Sequence, residues 1–151
     1  MNQYLNLKKR INLIGCRSTL NRQKREYMEN YLNRYLGMTI LEIVDCKEGC
    51  CEVGFIFNDR KLIFSHCQDC CESVRLIDII GNVSDLIGKP LTMCEEVQNF
   101  GDTDNYEFSY DDSHTWTFYK FATLNGYVTF RWLGELNGYY SETVYCEEVE
   151  L

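Results

Sequence analysis

The chain has 151 residues, 45% of them hydrophobic, with nine cysteines and a single proline; that is enough apolar content for one core and unlike a linker or a disordered tract. No apolar run approaches the length of a membrane span, and the N-terminus lacks the apolar core and small-residue cleavage site of a signal peptide, so the expectation is a soluble cytoplasmic protein. The formal charge of −8 is unevenly divided: residues 1–36 carry eight Lys/Arg and two Glu (+6), and residues 37–151 carry seven Lys/Arg and 21 Asp/Glu (−14). Nucleic acid repels such a body and basic protein surfaces attract it.

In chain order, residues 1–19 are ambiguous between a short strand and a short helix. Residues 20–36 predict a helix, because Tyr27, Tyr31 and Tyr35 fall four apart, as do Met28, Leu32 and Leu36. Gly37 is its stop. From Thr39 the period becomes two. Thr39–Cys46, Cys51–Phe57 and Arg60–His66 read as three strands, with turns at Glu48-Gly49 and Asn58-Asp59. Short helices are expected around Glu72–Ile80 and Ser84–Ile87, a strand at Leu91–Val97, and a polar loop over 98–114. Thr115–Leu124 and Tyr127–Gly134 flank Asn125-Gly126, a strong hairpin signal. A last strand is expected at Tyr139–Glu148. The whole reads as one α+β domain, 1–151: a mostly antiparallel sheet with short central helices, in which a basic helical segment (1–36) flanks an acidic sheet body (37–151).

The cysteines concentrate around one histidine, in Phe64-Ser-His66-Cys67-Gln-Asp-Cys70-Cys71-Glu72. An odd count and the adjacent pairs Cys50-Cys51 and Cys70-Cys71 argue against a disulfide framework. Cys67 and Cys70 have C-x-x-C spacing beside His66. Thiolate sulfur and imidazole nitrogen are what a closed, structural zinc site takes. His66, Cys67, Cys70 and Cys71 are therefore the candidate ligands of a structural Zn2+. A two-residue turn at Asn58-Asp59 would set Cys51 opposite His66 and Cys50 opposite Cys67. One at Glu48-Gly49 would set Cys46 opposite Cys51. Two other readings stay open: thiols acting as small buried hydrophobes, and a C-x-x-C redox pair. Cys16, Cys94 and Cys146 read as ordinary strand or core residues.

A catalytic set is not evident. The chain has no phosphate-binding glycine loop, no H-E-x-x-H and no G-x-S-x-G. His114 follows Asp111-Asp112 and could pair with them. Glu95-Glu96 are carboxylates, but neighbours on a strand point to opposite faces. The expectation is a protein that is not an enzyme.

The stretch His66-Cys-Gln-Asp-Cys70-Cys71-Glu-Ser-Val74 resembles the H-x-Q-D-C-C-E-x-V signature of a family of small, uncharacterised phage and prophage proteins. Asp85-Leu-Ile-Gly-Lys-Pro-Leu-Thr-Met-Cys-Glu95-Glu96, Thr115-Trp-Thr-Phe-Tyr-Lys-Phe-Ala-Thr, Gly126-Tyr-Val-Thr-Phe-Arg-Trp and Asn137-Gly-Tyr-Tyr-Ser-Glu142 match as well. The resemblance covers roughly 39–148. It implies that His66, Cys70 and Cys71 belong to the shared site, while Cys46, Cys50, Cys51 and Cys67 lie outside the signature. The chain is also similar to zinc-containing anti-CRISPR proteins of the type II-A group, which implies an inhibitor of the host's single-protein RNA-guided nuclease, acting in the host cytoplasm. An acidic protein can compete for that nuclease's basic channels. The other classes kept open are a metal-dependent phage enzyme on nucleic acid or nucleotides, and a virion or housekeeping protein with a structural zinc.

One segment reads as a partner surface. From Pro90 to Tyr119 there is no Lys or Arg, and Asp102, Asp104, Glu107, Asp111 and Asp112 are interleaved with Phe100, Tyr106, Phe108 and Tyr110. Such acids would steer the loop onto a basic protein surface, and such aromatics are favoured at interface centres.

Overall fold

Period-two alternation shapes most of the chain from residue 42 onward. The computed structural model describes residues 27–68, 72–99, 113–136 and 142–151. Among these residues eight strands form two antiparallel four-stranded sheets: β1 (Glu42–Val44), β2 (Glu52–Ile56), β3 (Arg60–Ser65) and β8 (Tyr145–Glu150) in the order β1-β2-β3-β8, and β4 (Glu72–Ile80), β5 (Met93–Asn99), β6 (Ser113–Thr123) and β7 (Gly126–Leu136) in the order β4-β7-β6-β5. One helix lies near the N-terminus, with helical residues 27–33 described. No helix among the described residues is long and apolar enough to cross a membrane.

Each sheet offers alternate residues to a shared interior. Phe55 of β2 meets Phe121 and Phe130 of the other sheet at 4.9 and 5.4 Å between ring centroids, and Phe64 of β3 meets Tyr119 of β6 at 4.5 Å. These edge and tilted contacts suit the ring quadrupoles. Met28 and Leu32 of the helix, and Tyr35 in the turn that follows it, are buried in the same cluster. Tyr35 also donates to Glu148 Oε2 at 2.5 Å, which ties that turn to β8.

The β2–β3 register follows the expected Asn58-Asp59 turn, with Glu52 opposite Ser65 and Val53 opposite Phe64. Three expectations are corrected. Glu72–Ile80 is a strand, not a helix: it pairs with β7, and Val74 and Leu76 point into the core. The β1–β2 register runs one residue away from that inferred, with Glu42 opposite Ile56 and Val44 opposite Gly54. Asp45 then takes a left-handed φ of 58° and turns the chain, so Cys46 does not sit opposite Cys51. The last strand, expected from Tyr139, starts at Tyr145: 142–144 form no strand, and 139–141 lie outside the described residues. A Cβ on Gly134 would strike the backbone of Glu142. The helical turn expected at Ser84–Ile87 is a 3-10 helix at Val83–Leu86, capped by the Asn82 side chain accepting from Ser84 N.

Candidate functional site

His66 directly follows β3, where that strand has lost its partner on β2 except for one bond: His66 N donates to Cys51 O at 3.1 Å. Its ring then enters the seam between the sheets. Nδ1 lies 2.7 Å from Thr143 O, just ahead of β8. Nε2 lies 2.7 Å from Glu72 Oε1, at the start of β4. The face of the ring stacks on Tyr145 at 5.4 Å and 12°. The two side chains are 2% and 3% exposed, so the pair is closed to solute.

A carbonyl oxygen only accepts, so Nδ1 carries a hydrogen and donates it to Thr143 O. A proton must then lie between Nε2 and the Glu72 carboxyl, whichever of the two holds it. The pair is a buried hydrogen bond linking β3, β4 and β8, and so both sheets.

Gln68 repeats the pattern two residues later. Its Nε2 donates to Val74 O, and its Oε1 accepts from Val74 N at 3.1 Å. A side-chain amide thereby takes the place of a strand neighbour on β4. The two contacts, His66–Glu72 and Gln68–Val74, each span six residues and tie the end of β3 to the start of β4.

Cys67 is exposed, while Cys46 and Cys50 are half-buried and Cys51 is exposed. Burial pushes the Cys46 thiol up to about 11, and nearby Cys50 adds to the shift. Cys70 and Cys71 lie outside the described residues, as do Cys16 and the acids Asp102, Asp104, Glu107, Asp111 and Asp112. Cys94 and Cys146 are core residues, as expected. Among the described residues no three His, Cys, Asp or Glu side chains converge as a metal set. The fit of zinc to His66 follows from its contacts. The Nδ1 anchor is the outer-sphere arrangement that leaves Nε2 as the metal-facing nitrogen, but Nε2 here faces Glu72. Coordination by His66 therefore requires Glu72 to give up that nitrogen.

Sequence reasoning missed the buried carboxylates. Glu135 on β7 is fully buried and accepts from Arg75 Nη1 at 3.0 Å, with His114 directly opposite it on β6. Glu96 points inward beside Tyr119 in register, whereas Glu95 is exposed. Strand alternation puts these two glutamates on opposite faces.

A family model described as "Domain of unknown function (DUF7448)" matches residues 29–146. No curated protein and no solved structure matches the chain. The matched span takes in helical residues 29–33, seven complete strands and the first two residues of β8, with the whole His66–Glu72 seam inside it, and the chain belongs to the DUF7448 family.

Proposed function

We infer that this chain is a non-catalytic binding protein that docks an acidic surface onto a basic protein partner. The observation that carries the reading is an imbalance of exposed charge. Among the described residues nine acids are exposed (Glu29, Glu42, Asp45, Glu48, Glu52, Asp59, Glu95, Glu147 and Glu150), against three bases, Arg34, Lys47 and Lys89. The half-buried arginines are neutralised from within: Arg60 by Asp59 and Glu148, Arg75 by Glu135, and Arg131 by Asp78. The field that reaches solvent is negative. The best-formed polar pair, His66–Glu72, is sealed from solute and suits a structural role.

The resemblance to phage proteins and to type II-A anti-CRISPR proteins narrows the partner to the host's RNA-guided nuclease, met in the host cytoplasm. Binding there would block target DNA loading or cleavage. The acids of 102–112 are the proposed contact. A structural zinc held by Cys67, Cys70 and Cys71 is part of the proposal, with His66 joining them by exchanging Glu72 for the metal.

Two measurements test this. The full chain should bind the guide-loaded nuclease with an affinity that falls as salt rises. Changing Asp102, Asp104, Asp111 and Asp112 to Asn should slow association most at low salt and leave the melting temperature unchanged. Absence of binding, or binding indifferent to salt, overturns the partner. Elemental analysis of tag-free protein should find about one zinc per chain, lost when Cys67, Cys70 and Cys71 are replaced. A folded, metal-free protein overturns the zinc.

A further inference from the structure

The second sheet turns one face to the core and the other outward, and the outward face changes character along its length. At one end Trp116, Leu133 and Glu135 are buried, and the Arg131 guanidinium lies 5.1 Å from the Trp116 ring. Further along β5 and β6 the face opens. Three cross-strand pairs lie there in successive rows: Val97 opposite Phe118, Glu95 opposite Lys120, and Met93 opposite Ala122. Val97 is 40% exposed, Glu95 is exposed, and the other four are half-buried. A charged row thus runs between two apolar rows.

The charged row is left without an ion pair among the described residues. Glu95 and Lys120 carry opposite charges on directly paired positions, where Cβ atoms sit about 5 Å apart. Yet neither forms an ion pair with the other or with any other described residue.

We propose that this patch is a homodimer interface whose two-fold axis runs parallel to β5 and β6, midway between them. Rotation about that axis carries each β5 row onto the β6 row of the other copy. Glu95 then faces Lys120 across the interface twice over, Val97 faces Phe118, and Met93 faces Ala122. The patch is self-complementary, as an isologous contact requires. The charges also select the axis. A two-fold running across the strands through the charged row would set Glu95 against Glu95 and Lys120 against Lys120. Sheets stacked face to face lie about 10 Å apart, a gap that a lysine and a glutamate reaching from opposite sides can close. The flanking apolar rows supply the area removed from water, and the two ion pairs fix the register.

The test is the mass of the full chain in solution, by light scattering and by sedimentation at low salt. The expected value is twice the 17.8 kDa chain mass. Lys120→Glu and Glu95→Lys should each lose the dimer, because each variant sets like charges together at both cross contacts. An equimolar mixture of the two should recover it. One chain of the mixed pair then carries two acids in that row and the other two lysines, so both cross contacts again join opposite charges. Native mass spectrometry should show that the recovered species contains one chain of each variant. Val97→Asp should also give a monomer whose circular-dichroism spectrum matches wild type, without touching the charged row. A wild-type chain that is monomeric up to its solubility limit overturns the proposal. So does a dimer that survives the single variants, or a mixture of the two that stays monomeric.

Discussion

His66 Nε2 and Glu72 Oε1 lie 2.7 Å apart across a six-residue separation, with both side chains almost wholly out of water. The contact joins the end of one sheet's β3 to the start of the other sheet's β4. Thr143 O, on the approach to β8, holds the other ring nitrogen. Three chain segments therefore meet on one imidazole, and removing Glu72 takes away the buried partner of His66 Nε2.

Replacing Glu72 with Ala should destabilise the fold by about 3–5 kcal/mol, the usual cost of orphaning one member of a buried pair. Glu72→Gln should cost less than half as much, because its amide N–H can donate to Nε2 while Nδ1 still donates to Thr143. Urea unfolding midpoints of the two variants decide the matter. Equal losses would mean that no shared proton holds the pair.

The fold was legible where alternation was clean. The β2–β3 hairpin is the clearest case, since Asn58-Asp59 set its register to the residue. The neighbouring β1–β2 connection was not: a longer link replaces the assumed two-residue turn, and Asp45 bends it through a left-handed φ of 58°. β4 was misread for a definite reason. A bulge between Leu76 and Asp78 inserts Ile77 and breaks the period of two, which leaves apolar residues at helix-like intervals. In the β6–β7 hairpin the turn falls on Leu124-Asn125, one residue before Asn125-Gly126, because Thr123 pairs with Gly126. Of the candidate site, His66 stands out in the sequence as a ligand-type residue. The bond from His66 to Glu72 was not legible, because a separation of six belongs to no helix or strand period and exists only once the sheets have packed.

Glu148 should make stability depend on acidity. Burial pushes its carboxyl up, but the hydrogen bond from Tyr35 and the charges of Arg34 and Arg60 outweigh that and hold it below the ordinary carboxylate range. A carboxyl depressed in the folded state contributes stability that is fully present above the unfolded-state value, about 4.3, and is lost as pH falls through the folded value. Glu148→Gln should therefore be less stable than wild type by about 1–2 kcal/mol near neutral pH. The gap should close as pH falls below the ordinary carboxylate range. Denaturant titrations across that window measure it, and a gap that widened in acid would contradict the assignment.

Gly134 should resist substitution. Its position on β7 faces the backbone of Glu142, and a methyl group there would strike that backbone rather than a movable side chain. The displaced segment carries Thr143, so Gly134→Ala should also disturb the His66 anchor. The expected loss is about 1–3 kcal/mol, the range for overpacking a filled site. Ala substituted at Gly88, where no neighbouring atom lies within 4 Å of the added Cβ, loses stability through backbone strain alone, since that glycine has φ of 76°. Gly134 has no such φ, so a Gly134→Ala protein as stable as wild type would mean that the Glu142 contact carries no weight.

The described thiols should separate into three reactivity classes. Cys94 and Cys146 are 2% and 4% exposed. Burial pushes Cys94 up to about 12 and Cys146 well above the ordinary thiol range, with Glu96 and Glu148 adding to the latter. Reaction with a disulfide reagent needs both access and thiolate, and these two positions supply neither. Cys51 and Cys67 are exposed; Cys51 should be modified in the first phase of labelling near neutral pH, and Cys67 should join that phase once bound metal is removed. Half-buried Cys46, raised to about 11, should follow more slowly. Cys94 and Cys146 should react only as the whole molecule unfolds, with a rate that tracks denaturant as global unfolding does. Peptide mapping of the labelled protein assigns each phase. Modification of Cys94 as early as Cys51 under native conditions would mean that the β5 edge opens independently of the core. The same labelling repeated after a strong chelator bears on the zinc proposal at once: release of bound metal should speed the reaction of Cys67 and leave Cys51 unchanged.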